Sequence, residues 1–130
     1  MTFQVKNKIG KLGEDIACRF LMKQAFSIVE RNYWKKWGEI DIIAEKHGNK
    51  HFVEVKSVAR ENIDNVAHET GFRPEENVHE RKIQRLSRVI QTYIAEKGIE
   101  IGKWQFDIIT VYIEEKSKRA KVIRHENVIL

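Results

Sequence analysis

The sequence predicts an α/β (α+β) domain, a mixed five-stranded sheet flanked by helices in the order α-β-β-β-α-β-β. Three observations carry this. Apolar residues recur at helical spacing in two separated stretches, around 9–21 and 78–94. Five shorter runs rich in Ile, Val and aromatic residues read as strands, three of them between the helices and two after. The 130 residues, 42% hydrophobic and 33% charged, have the composition of a folded chain and suffice for one domain burying roughly two-thirds of its unfolded surface. No repeat, low-complexity tract or linker divides the chain, so residues 1–130 are read as a single domain.

In order, Asn7 is a plausible N-cap, and Ile9, Leu12, Ile16, Phe20 and Leu21 form an apolar stripe predicting a helix of about 17 residues ending near Ala25. Gly10, Gly13 and Ala17 cluster on one flank of that stripe, with Glu14 just beyond its edge. Small residues let a helix approach a sheet closely, so Glu14 can reach a site on the sheet; alternatively it is a solvated residue of a Gly-weakened turn.

Phe26 to Trp34 reads as the first strand. Trp34-Lys35-Lys36-Trp37 follows, and it admits two readings: aromatics stacking on unpaired bases with Lys35 and Lys36 on phosphates, or a hairpin turn whose tryptophans cover the sheet edge.

Gly38-Glu39-Ile40-Asp41-Ile42-Ile43-Ala44 and Phe52-Val53-Glu54-Val55-Lys56 are strands that carry charge where buried strands should not. Strict alternation puts Glu39, Asp41 and Ile43 on one face, and Phe52, Glu54 and Lys56 on one face of the partner. A two-residue turn at Gly48-Asn49 sets Asp41 opposite Lys56, with Glu54 one diagonal step away. The patch holds two carboxylates and an ammonium, which suits a hard divalent cation, Mg2+ (or Mn2+), and metal-assisted phosphodiester hydrolysis with Lys56 activating water or neutralising phosphate charge. The bland alternative is a surface ion-pair ladder. Glu39 is an additional candidate ligand, a partner of Lys56, or a strand-end partner of Arg60.

From Ser57 to Arg73 no period is sustained, which suits either a substrate flap or a plain connection. Pro74-Glu75-Glu76 predicts a helix start, and Val78, Ile83, Leu86, Val89, Ile90, Tyr93 and Ile94 form its buried stripe up to Gly98. Arg81, Arg85 and Arg88 fall opposite as a basic stripe, either solvated or on DNA. Lys82 lies on the inward arc, where a lysine must snorkel or find an acid or phosphate. Trp104 to Ile113 reads as a well-covered strand interrupted by Asp107, Lys116 to Lys121 as a charged turn, and Lys121 to Val128 as a basic edge strand.

Asp41 followed by Glu54-x-Lys56 resembles the signature of the PD-(D/E)xK nuclease superfamily, which includes restriction endonucleases and archaeal Holliday-junction resolvases. That pattern is weak by itself. More specific is the string Gly10-x-x-Gly13-Glu14-x-x-Ala17, Arg31-Asn32, Gly38-Glu39-Ile40-Asp41, Phe52-Val53-Glu54-Val55-Lys56, which resembles the bacterial YraN-like family of predicted endonucleases. The likeness extends through Pro74, Val78, Lys82 and Phe106-Asp107.

The resemblance implies a restriction-endonuclease-like core and a Mg2+-dependent endonuclease acting on DNA, branched or single-stranded substrates included. Asp41, Glu54 and the Val55 carbonyl would hold the metal, Lys56 would act on water or phosphate, and Glu14 would complete the site; Lys82 is a further site candidate. Lys35, Lys36, Arg60, Arg81 and Arg85 are the nucleic-acid-binding candidates. Val58 stands where the family usually has a basic residue, so that phosphate contact is shifted to Arg60 or lost. Asp107 is expected in a structural pairing with a helix base. Resolvases act as two-fold dimers, so a homodimer is also implied. The alternative is a nucleic-acid-binding or adaptor protein that keeps the fold without cutting; RNA or modified DNA is a third substrate class.

The net charge of +5 permits nucleic-acid binding without requiring it. No apolar run approaches the ~18 residues of a membrane span, the N-terminus has no signal-like apolar core, and the single Cys18 suits a reducing compartment, so a cytoplasmic protein is expected.

Overall fold

The computed structural model describes residues 3–64 and 80–129. Its elements follow the predicted order: α1 (Phe3–Lys23), β1 (Ser27–Lys35), β2 (Gly38–Lys46), β3 (Asn49–Ala59), α2 (Glu80–Lys97), β4 (Trp104–Glu114) and β5 (Arg119–His125). The strands form one mixed sheet in the order β1-β2-β3-β4-β5. β1, β2 and β3 are an antiparallel meander, β4 runs parallel to β3, and β5 returns antiparallel to β4. A parallel neighbour needs a crossover, which α2 lies on.

The sheet is covered on both faces. Ile9, Ala17, Cys18 and Leu21 of α1 pack on Ile42, Ala44, Val53, Ile109 and Val111. Leu86, Val89, Ile90 and Tyr93 of α2 pack on Tyr33, Ile40, Ile43, Phe52 and Ile108. Among the described residues, no helix is long and apolar enough to cross a membrane.

Helix α1 differs from expectation at its start and in its buried stripe. It begins by Phe3, so Asn7 lies inside it and is not its cap. Leu12 is 40% exposed, and the sheet-facing line runs instead through Gly13, Ala17 and Leu21. A Cβ on Gly13 would stand 1.8 Å from Ser57 Oγ, so only glycine lets this turn lie against β3. At its other end Ala25 adopts φ 69°, and Phe26 N–H donates to the Leu21 carbonyl at 3.0 Å. That is a Schellman closure made without glycine. Gly98, φ 65°, closes α2 in the same way, with Ile99 N–H on the Ile94 carbonyl at 3.1 Å. The helix start expected at Pro74, and most of the segment after Arg60, lie outside the described residues.

The β2–β3 turn falls one residue earlier than predicted. His47 and Gly48 occupy it at φ 52° and 80°, the two positive values of a type I′ turn, and Lys46 pairs with Asn49. The register therefore moves by two residues, which preserves faces. Paired residues end at Ile42 and Val53; one step further, Asp41 comes opposite Glu54 rather than Lys56.

Asp107 is fully buried, and its partners come from neighbouring strands and the segment just after β5, not from a helix base. It meets His51 Nδ1 at 2.8 Å, accepts from Arg124 Nη2 at 3.2 Å, and accepts from Gln105 Nε2 and the Asn127 amide. A carboxylate embedded in parallel strands is most easily satisfied by side chains of the neighbouring strands. This network closes the end of the sheet where β3 and β4 begin.

Candidate functional site

Side-chain alternation along β2 breaks at Asp41. Ile40 and Ile43 both face α2, whereas Ile42 and Ala44 both face α1. Glu39, Asp41 and Ile43 therefore do not share one face as strict alternation requires. The cause lies on both neighbours. On β1, Asn32 takes φ 52°, a left-handed conformation inside the strand that re-aims local side chains, while the bulge itself lies earlier, between Ile28 and Glu30. On β3, the Val55 amide donates to Asp41 Oδ2 at 2.8 Å, so the aspartate side chain takes over where the ladder stops. Asp41 thus sits in the fork where β2 leaves β3.

Glu54 projects from β3 toward α2, where Lys82 Nζ reaches its Oε1 at 2.6 Å. The Lys82 side chain is half exposed, so the lysine crosses the helix edge to find the acid, as its inward position predicts. From the other side α1 brings Glu14. Its Oε1 accepts from Asn32 Nδ2 at 3.0 Å, and the same nitrogen donates to Glu39 Oε1 at 3.1 Å. Arg31 Nη2 stands 3.7 Å from Glu14 and 2.8 Å from Asp15. The result is a fork of carboxylates opening into two clefts. One cleft is lined by Gly10, Glu14, Asp41, Glu54, Val55 and Ser57. The other is lined by Gly38, Glu39, Asp41, Glu54, Lys82 and Arg85. Asp41 and Glu54 belong to both.

The electrostatics show how crowded the fork is. Burial, then the neighbouring Glu54 charge, pushes Asp41 up to about 8, against the opposing hydrogen bond from Val55. Burial also raises Glu54, with Lys82 pulling it back. Lys56, two residues beyond Glu54 on the same face, is held below the ordinary lysine value by burial first and by Lys82 second, while Glu54 opposes. Two carboxylates in one buried site resist joint ionisation without a cation.

Oxygen donors and excess negative charge are what a hard divalent cation requires. Among the described residues, no three His, Cys, Asp or Glu side chains converge into a ready cage. A Mg2+ site does not need one, since this ion is commonly held by one or two carboxylates and keeps several waters. Asp41, Glu54 and the Val55 backbone fit that donor set, and Lys82 already supplies Glu54 with a positive charge.

The fold brings Glu14, Glu39, Asp41, Glu54 and Lys82 together, and Arg85 rims the same cleft rather than lying on the far face of its helix. Lys56 stands beside them. The other basic candidates are elsewhere. Lys35 is engaged by Glu96 at 3.0 Å, Lys36 and Arg81 are exposed, and the Arg60 guanidinium lies 5.8 Å from the Tyr112 ring centroid. Arg88 lies over Trp37 at 4.4 Å. Sequence reasoning did not assign Asn32 or Arg31 to the site. Their signal was an Arg-Asn pair in the middle of a strand, between Ile28-Val29 and Tyr33-Trp34.

Comparison with known proteins agrees in extent with the fold. The sequence model of the uncharacterised protein family UPF0102 matches residues 13–111. A UPF0102 protein of Dictyoglomus thermophilum is 39% identical over 122 residues, covering 94% of each chain. One from Campylobacter jejuni is 37% identical over 102 residues, 78% of this chain and 81% of its own. Another from Persephonella marina is 36% identical over 103 residues, again 78% and 81%.

Proposed function

The chain belongs to the uncharacterised protein family UPF0102, and from that premise and the carboxylate fork we propose that it is a Mg2+-dependent endonuclease hydrolysing DNA phosphodiester bonds. The observation carrying this is half-buried Asp41 and buried Glu54 sharing one under-neutralised position at the strand fork, with Lys56 beside them and Glu14 lining the same cleft. Asp41, Glu54 and the Val55 carbonyl would hold the cation, which supplies Lewis-acid stabilisation of a phosphate oxygen and a lowered pKa for bound water. Lys56 carries a proton more loosely than an exposed lysine does, so it is suited to orient or deprotonate attacking water and to offset charge on the phosphate. Glu14, tied to Asn32, lines the same cleft as Asp41 and Glu54. Lys82 and Arg85 offer cations to the phosphate strand along the second cleft.

The test is cleavage of end-labelled duplex, single-stranded, flapped and four-way-junction DNA with Mg2+ or Mn2+, comparing wild type with Asp41→Asn and Lys56→Ala. Cutting by wild type alone supports the nuclease and identifies the substrate shape. The second reading, a non-cutting nucleic-acid binder, is favoured by the Lys82–Glu54 pair, which neutralises a ligand carboxylate without metal. Equal inactivity of all three proteins with equal, salt-sensitive DNA binding would select it.

A further inference from the structure

The Trp34-Lys35-Lys36-Trp37 tetrad does not act as one unit. Trp37 packs on the α2 core beneath Arg88, at 4.4 Å from its ring centroid. Gly38 beside it is pressed so close to α2 that a Cβ would meet Val89 at 2.9 Å. The hairpin tip is therefore fixed to the helix, and Trp37 is accounted for as sheet cover. Trp34 is not. It is 67% exposed, although an exposed indole on a rigid strand gains nothing from burial.

Its position relates it to the fork. Tyr33 faces α2, so Trp34 turns to the opposite face, the one to which α1 brings Glu14. Trp34 is the direct cross-strand partner of Glu39, and Glu39 shares the Asn32 amide with Glu14. Asp41 lies two residues along β2 from that partner, about 7 Å at ~3.3–3.4 Å per strand residue. A single nucleotide spans that distance. Lys36 is exposed at the adjoining turn, and Arg31 lies three residues back on the same strand.

We propose that Trp34 is a stacking platform for an unpaired DNA base, which delivers the phosphate of that nucleotide to the carboxylate fork. The proposal rests on the nuclease reading for its purpose, but not for its measurement. A base within a duplex has both faces covered by its neighbours, so only an unpaired or splayed base presents a free face to an indole. The substrate class is accordingly DNA carrying unpaired nucleotides, such as flaps and branch points, rather than continuous duplex.

Binding is measured in chelator, where no cutting occurs, using the full chain and two DNAs: a continuous duplex, and the same duplex with a short single-stranded flap carrying 2-aminopurine at its first unpaired position. Wild type should bind the flap more tightly than the duplex and quench the 2-aminopurine. Trp34→Ala should lose about tenfold in flap affinity and the quench, with duplex affinity nearly unchanged, and Trp34→Phe should keep most of both. Because Trp34 is exposed, both variants should melt as wild type does. Equal loss on both DNAs, no loss on either, an unquenched probe, or no binding at all would overturn the proposal. A protein that binds in this way but cuts no DNA would refute the nuclease and leave the platform standing.

Discussion

Replacing Asp41 by Asn should make the metal-free protein more stable at pH 8, not less. Asp41 is lifted from 3.8 to about 8, by burial first and by Glu54 second. At ~1.4 kcal/mol per pH unit, a rise of that size sets a ceiling of about 6 kcal/mol on the folding free energy withheld when the group ionises. Water entering the open fork lowers the realised value to about 1–3 kcal/mol. The sign follows from proton counts. Between about pH 4 and 8 the folded chain keeps a proton on Asp41 that the unfolded chain has released, so stability falls as pH rises through this window and is flat in this group above it. Asn keeps an acceptor for the Val55 amide and cannot ionise. Urea unfolding of wild type and Asp41→Asn from pH 5 to 9 should show curves that lie close at pH 5 and diverge in favour of the variant toward pH 8. Working above pH 5 avoids Glu114, held down to about 2 by Ser117 and Arg119, whose contribution has the opposite slope at lower pH. Saturating Mg2+ should raise wild type at pH 8 and leave the variant little changed. Parallel curves in chelator would refute the account of an under-neutralised fork.

Lys82→Gln removes the ammonium from Glu54, so Mn2+ affinity measured by calorimetry should tighten by about fivefold, as expected if lysine and metal compete for one carboxylate; weaker binding would refute competition. Ala25→Gly relieves the left-handed conformation at the α1 terminus and should stabilise the protein by about 1 kcal/mol in thermal or urea unfolding, whereas a loss would show that the closure is not strained. Asp107→Ala strands His51 and Arg124 beside a buried site and should cost about 3–5 kcal/mol by urea unfolding, with a cost below ~1 kcal/mol refuting the structural role.

Much of the fold was legible locally. Helical periods, Ile- and Val-rich runs and glycine-containing turns are set by neighbours in the chain, so the element order and the mixed sheet could be anticipated. Boundaries were less legible. Asn7 looks like a cap only until Phe3 and its neighbours are seen continuing the helix, and Leu12 fits the apolar period although Gly13 is what contacts the sheet. The β2–β3 turn was off by one because Lys46-His47-Gly48-Asn49-Lys50 offers more than one pair tolerant of positive φ.

By itself the sequence determined the element order, the residue types at the fork, and the outward need of Lys82 for an acid. Only the tertiary structure decided which groups meet. Asp41 stands where β2 parts from β3 with Glu54, not Lys56, as its charged neighbour, Asn32 joins Glu14 to Glu39, and Asp107 pairs across strands rather than to a helix. Periodicity assumes regular backbone, and it fails where Asn32 turns left-handed and β2 parts from β3. Those departures depend on long-range contacts between β1, α1 and β3, which no local pattern encodes.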